Sequence, residues 1–340
     1  MSIFQWHAHE LIFGYAGAVI AGFLLTAVKN WTNIETLTGK PLLFLFSIWL
    51  LARLGWLFAP KLQIILGVLD LAFFIILLLV IAKPIIKSKQ WRQLAITSKL
   101  LILIIANGIF YAGSLGILSK GIYFGIYLGL IVEITMILTI IRRIFPVFSQ
   151  LGLNLNEPLP TPLWIDIASI LLSLVWTVLF LTIPQSILTS LTAFMISCTL
   201  SVRLLLWYKP GLWKVPLLWS LYVGLAWITI GFALLALSYL FPSYNSLGIH
   251  ALAYGGMGLI TFSMMARVSL GHTGHDVRAK NINICIALIL LNIGIVFRVL
   301  MPVFLPQFTN IWLMFSQGLW IVSFSFFVVI FTPILLKSNE

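Results

Sequence analysis

Apolar residues run along this chain in long blocks separated by short stretches that carry proline and basic residues. A helix needs about 20 predominantly apolar residues to cross the hydrocarbon core of a bilayer. Eleven blocks of about that length succeed one another, at roughly 8–28, 41–59, 62–82, 94–118, 121–141, 163–182, 185–207, 215–240, 247–269, 281–303 and 309–336. Each is expected to be a helix, because an open strand would leave backbone polar groups unpaired in lipid. Pro41, Pro60, Pro84, Pro184, Pro210, Pro242 and Pro306 fall near the proposed ends, where proline is tolerated. With no long soluble insertion and no clear repeat, residues 1–340 read as a single integral-membrane domain, an all-α polytopic transmembrane bundle.

The loops orient it. After the odd-numbered blocks come Lys29 and Lys40; Lys83, Lys87, Lys89 and Arg92; Arg142 and Arg143; Lys209 and Lys214; Arg278 and Lys280; and Lys337. After the even-numbered blocks come only Lys61 and Lys120. Basic residues collect on the cytoplasmic side, so the N-terminus is expected outside and the C-terminus inside.

Composition narrows the function classes. The chain is 61% apolar and 8% charged, with a mean hydropathy of +1.13, which excludes a water-soluble globular domain. A formal charge of +12 does not point to nucleic acid, since the bases are scattered among apolar runs. Cys198 and Cys285 lie inside predicted spans, so neither a disulfide framework nor a thiolate zinc site is supported. Met1 to Gln5 carries no basic run, and no cleavable leader is expected. His9-Glu10 lacks the second histidine of a zinc-protease helix, and phosphate-cradling loops and serine-hydrolase elbows are missing from the sequence.

A set of ionisable residues at span ends remains. Trp6-His7-Ala8-His9-Glu10 opens the first block, and such groups in hydrocarbon are costly enough to be default site candidates. At helical spacing His7, Glu10, Gly14, Ala18 and Ala21 share one stripe, whereas His9 points toward Phe13, Ala16 and Ile20. The ninth block places His250, Tyr254, Met257, Thr261 and Met264 on one face, beside a notch made by Gly255, Gly256 and Gly258. Imidazole and thioether are ligands for haem iron and copper. His250 over that notch therefore suits an axial haem ligand, with a second histidine from the first helix; the other reading is close helix packing with methionine as filler. Arg53 and Arg298, in outer halves of their spans, are candidates to neutralise haem propionates, or else to pair with Asp70 or Glu10. The loop from Ser269 to His275 holds His272 and His275 between glycines, where a copper site, an anion nest or a plain solvated turn are all compatible. Arg142-Arg143 reads as a stop at the inner surface.

Trp6-His7-Ala8-His9-Glu10-Leu11-Ile12-Phe13-Gly14, continuing through Ala21-Gly22-Phe23-Leu24-Leu25-Thr26-Ala27-Val28 and Asn30-Trp31-Thr32, closely resembles the opening of the NnrS family. Arg143-Ile144-Phe145-Pro146-Val147-Phe148, His250-Ala251-Leu252 and Met265-Ala266-Arg267-Val268-Ser269-Leu270-Gly271-His272-Thr273-Gly274 resemble it as well. The resemblance implies a bacterial membrane protein containing haem and copper and tied to nitric oxide metabolism and nitrosative stress. It implies His7, His9, His250 and His272 as metal or haem ligands, without dividing them between iron and copper. Nitric oxide or a related small ligand, and a membrane electron donor, are the partners expected on this basis. Two departures stand out: members usually carry a further span before the histidine motif, giving twelve, and His275 stands where arginine is common.

The rival reading is a membrane transporter of a metal, haem or a small solute, in which Asp70, Glu133 and Arg298 would line a path. Paired repeats and helices broken at the midplane, frequent in transporters, are not evident.

Overall fold

A computed structural model describes residues 1–278 and 281–336. Lys280 and Lys337, two of the expected cytoplasmic charges, lie outside the described residues. Every regular element among those described is helical, and eleven helices are long and apolar enough to cross a membrane. They are α1 (Ile3–Thr32), α2 (Gly39–Phe58), α3 (Gln63–Lys87), α4 (Trp91–Ser114), α5 (Gly121–Leu153), α6 (Leu163–Thr182), α7 (Ile187–Trp207), α8 (Pro216–Leu237), α9 (Tyr244–His272), α10 (Ile282–Phe304) and α11 (Pro306–Leu336). The expected number of spans is met, and the chain is a multi-pass membrane protein.

Helix ends obey local chemistry. Ser2 and Gln5 form a reciprocal capping box at the start of α1, and Asn281 accepts from the amides of Asn283 and Ile284 at the start of α10. Asn33, in the left-handed conformation, closes α1. Two ends depart from expectation. The Arg142-Arg143 pair does not stop α5, which continues through Pro146 to Leu153. Proline removes one backbone donor inside a helix, but Phe145, just before it, is fully buried and stacked on Trp207 at 5.0 Å. Nor does α9 end at residue 269: it runs to His272, and Gly274 at φ 73° lets the amide of His275 reach back to the carbonyl of Leu270 at 2.9 Å. This is a Schellman-type cap, so the glycine-flanked turn ends a helix.

The chain falls into two compact units, Met1–Met136 and Ile137 onward, with the boundary inside α5. In the first, α1 packs on α2 and α3, α2 on α3, and α3 on α4. The start of α5 lies against α4 so closely that backbone touches backbone: a Cβ on Gly113 would collide with the amide nitrogen of Ile122. In the second unit α6, α7, α8 and α9 pack in sequence, and α9, α10 and α11 pack on one another. There α9 is the central helix, with 72% of its apolar window buried against 11% for α11.

Tight backbone approach and lipid exposure predict opposite responses to the same substitution. Gly113→Ala forces backbone apart and is expected to cost up to about 3 kcal/mol, whereas Gly22→Ala, with open space around it, should stabilise α1 by about 1 kcal/mol. Thermal unfolding of both variants in detergent checks this; equal shifts of one sign would contradict the packing.

Candidate functional site

The histidine motif sits where α1 leaves ordinary helical geometry. Ile3–His9 is α-helical, Glu10–Ala16 is π-helical, and Gly17–Thr32 is α-helical again. A π-turn takes an extra residue and rotates the two flanking α-helical segments relative to each other; such turns recur at functional sites. Here His9 and Glu10, placed on different faces by regular spacing, converge on one network.

His9 is fully buried. Its ring stacks on Phe110 at 4.3 Å, and Phe13, Trp56 and Tyr111 surround it at 5.1, 6.1 and 5.4 Å. Nδ1 is hydrogen-bonded to Glu10 Oε1 at 3.0 Å and Nε2 to the Asn107 side-chain amide at 3.1 Å, with Oδ2 of Asp70 at 3.6 Å. Arg53 of α2 lies between the two carboxylates, giving Nη1 to Glu10 at 3.0 Å and Nη2 to Asp70. Tyr111 donates to the other oxygen of Asp70 at 2.5 Å and itself accepts from Nε1 of Trp56 at 3.0 Å. Gly14 makes this possible, since a Cβ there would lie 2.5 Å from the Arg53 guanidinium; the Gly14 carbonyl accepts from Nε1 of Trp49. Four helices thus close a polar network at one end of the first unit.

The second unit holds His250, likewise succeeded directly by a π-helical stretch, Ala251–Gly258. Its Nδ1 donates to the carbonyl of Ser246 at 2.7 Å, and its Nε2 accepts from Nη2 of Arg298 at 2.5 Å. The glycine notch below it is filled. A Cβ at Gly255 would come within 2.6 Å of Trp227, one at Gly258 within 2.8 Å of Trp320, and one at Gly256 would collide with Ile228. Those glycines admit neighbouring helices, which is the packing alternative and not a seat for a flat cofactor. Tyr254 turns to a different partner and donates to the carbonyl of Ser316 at 3.1 Å.

The remaining predicted histidines occupy exposed positions. His7 is exposed on the last α-helical turn before the π-stretch, and His272 is exposed at the end of α9. His275 is hydrogen-bonded through Nδ1 to Thr273 at 2.9 Å. Three contributors were missed by sequence reasoning. Asn107 and Tyr111, one helical turn apart on α4, carried a signal in that pairing. Arg203 of α7 joins Arg142 on Asp166, at 2.7 Å from its Oδ1, and lies over Trp207 at 5.3 Å; a lone arginine in an apolar run was the clue.

These contacts test the cofactors. A metal-binding histidine keeps one nitrogen for the metal and gives the other N–H to a carbonyl or carboxylate. His250 meets half of that pattern through Ser246, while its Nε2 is taken by Arg298, which a metal would have to displace. His9 as packed does not: both its nitrogens are engaged and its ring is enclosed by aromatics. The cation between Glu10 and Asp70 is the guanidinium of Arg53, and no three His, Cys, Asp or Glu side chains form a metal-holding set among the described residues.

Eleven apolar crossing helices with an arginine–carboxylate–histidine network in one unit and a histidine–arginine pair in the other define a polytopic helical membrane protein with built polar sites. The family model described as NnrS protein matches residues 1–338, and the chain belongs to the NnrS family. No curated protein and no solved structure matches.

Breaking a buried ion pair from one side leaves its partner uncompensated, at a cost of about 3–5 kcal/mol. Arg53→Met strands Asp70, whose side chain is 1% exposed, and is expected to lose that much stability in denaturant titration in detergent. Arg53→Lys should recover little, because an ammonium cannot span both carboxylates as the planar fork does. Wild-type stability of Arg53→Met would contradict the network.

Proposed function

We propose that this chain is a haem- and copper-bearing membrane protein that acts in the response to nitric oxide, with His250 as its principal imidazole ligand. The observation that carries the ligand assignment is the Ser246 contact, which holds the proton on Nδ1 and directs the Nε2 lone pair toward Arg298. His7, exposed at its helix end, is the candidate ligand in the first unit, and His272 the candidate for copper at the end of α9. Arg298 is suited to a haem carboxylate, as a guanidinium already beside the ligand nitrogen. Arg53 serves the Glu10–Asp70 network. His9 fixes the π-helical end of α1 and so the direction in which His7 projects. Bound haem would supply an iron that takes nitric oxide or passes an electron. Family membership supports the nitric oxide link; this chain's residues hold, orient and neutralise. The basic-residue asymmetry supports an N-terminus outside, and family membership supports a bacterial inner membrane.

Absorption spectra of the purified protein, oxidised and reduced, with and without nitric oxide, are the test. A haem band that shifts with nitric oxide and is weakened at least tenfold in His250→Ala is expected. Absence of any haem band after expression with ample haem would contradict the proposal and favour the transporter. The orientation is checked separately, by thiol labelling of single cysteines in intact cells after Cys198 and Cys285 are replaced. Ser2→Cys should react with an impermeant reagent and Asp276→Cys should not; the reverse pattern would invert the topology.

A further inference from the structure

Outside these sites, one buried carboxyl in the first unit stands without a hydrogen-bond partner. Glu133 of α5 is 1% exposed, and neither of its carboxyl oxygens is bonded among the described residues. Its position is set by the layers above it. His9 stacks on Phe110, which also meets Gly125; one turn further, Phe13 meets Gly129. The next turn of α5 brings Glu133 level with the Ala16–Gly17 step of α1, where Phe74 of α3 packs on Gly17. Glu133 thus lies about 12 Å along the helix from the His9 layer, below a shelf of phenylalanines.

An ionised carboxyl here would carry the cost of losing its hydration with nothing in its place. Three kinds of partner can remove that cost. A basic side chain does not: no histidine, lysine or arginine of α1, α3, α4 or α5 hydrogen-bonds to either carboxyl oxygen of Glu133. A metal cation asks for several oxygen or nitrogen ligands at once, and Glu133 belongs to no such set among the described residues. A proton needs one oxygen only.

We propose that Glu133 is a proton-binding site, holding an exchangeable proton in the apolar interior of the first unit. Ionisable residues at such depth mark proton relays, and no haem or copper is needed for this one. Glu10 and Asp70 are already committed to Arg53, His9 and Tyr111; Glu133 is the carboxyl left to load and unload.

Infrared spectra of the full-length protein in detergent, in H2O and after transfer to D2O, test it. The wild type is expected to show the C=O stretch of a protonated carboxylic acid, shifted down in D2O and lost in Glu133→Gln. In Glu133→Asp, the second variant, the band should persist at a changed frequency. Superimposable spectra of wild type and the Gln variant in that region would overturn the proposal, as would a Glu133 band that never shifts in D2O. Because the readout uses protein without added haem or nitric oxide, its failure is separable from failure of the haem assignment.

Discussion

Hydrocarbon offers a polar group nothing to bond with, and that constraint shapes every polar feature of this chain. Arg53 is the residue on which the first unit most depends. Its planar guanidinium spans Glu10 and Asp70, and each carboxylate in turn holds another group: Glu10 fixes His9, and Asp70 fixes Tyr111. The same solution recurs in the second unit, where Asp166 takes Arg142 and Arg203. In both places charges cluster because pairing is the only way to keep them in an apolar bundle.

The two histidine helices share a second device. A π-helical stretch begins immediately after His9 and again immediately after His250. Widening the helix there alters which side chains share a face. On α1 it lets His9 and Glu10 act together, and on α9 His250 bonds to Arg298 while Tyr254, close to that same guanidinium, donates to Ser316. Rewound turns of this kind cost hydrogen-bond geometry and are frequent at functional sites; here one follows each of the two histidines.

Much of this was legible in the sequence. Block length yielded the eleven helices, since bilayer thickness fixes how many apolar residues a span needs. Pairing of Arg53 with Asp70 or Glu10 was one of the readings open in the sequence, beside a haem carboxylate, because a charge in lipid must be satisfied. Regular 3.6-residue spacing did not anticipate the π-stretches, which have no composition signature, so the convergence of His9 and Glu10 on one network was not legible. The glycines of α9 were ambiguous because a small residue admits a cofactor and a tryptophan equally well; Trp227 and Trp320 come from distant parts of the chain. Gly274 was ambiguous too, and its left-handed turn proved to be a helix cap.

The histidines divide by their surroundings. Both ring nitrogens are hydrogen-bonded in each, but His9 is enclosed in a buried side-chain network, whereas Nε2 of His250 is held by the guanidinium of Arg298 and is the atom we propose for a ligand. Nitrogen-15 spectra of protein labelled in its histidine rings, recorded before and after loading with haem and copper, test this division most directly. With signals assigned through His9→Phe and His250→Ala, loading is predicted to shift the His250 resonances and to leave both His9 nitrogens hydrogen-bonded as before. A His9 signal that moves or broadens on loading while His250 stays unchanged would contradict it.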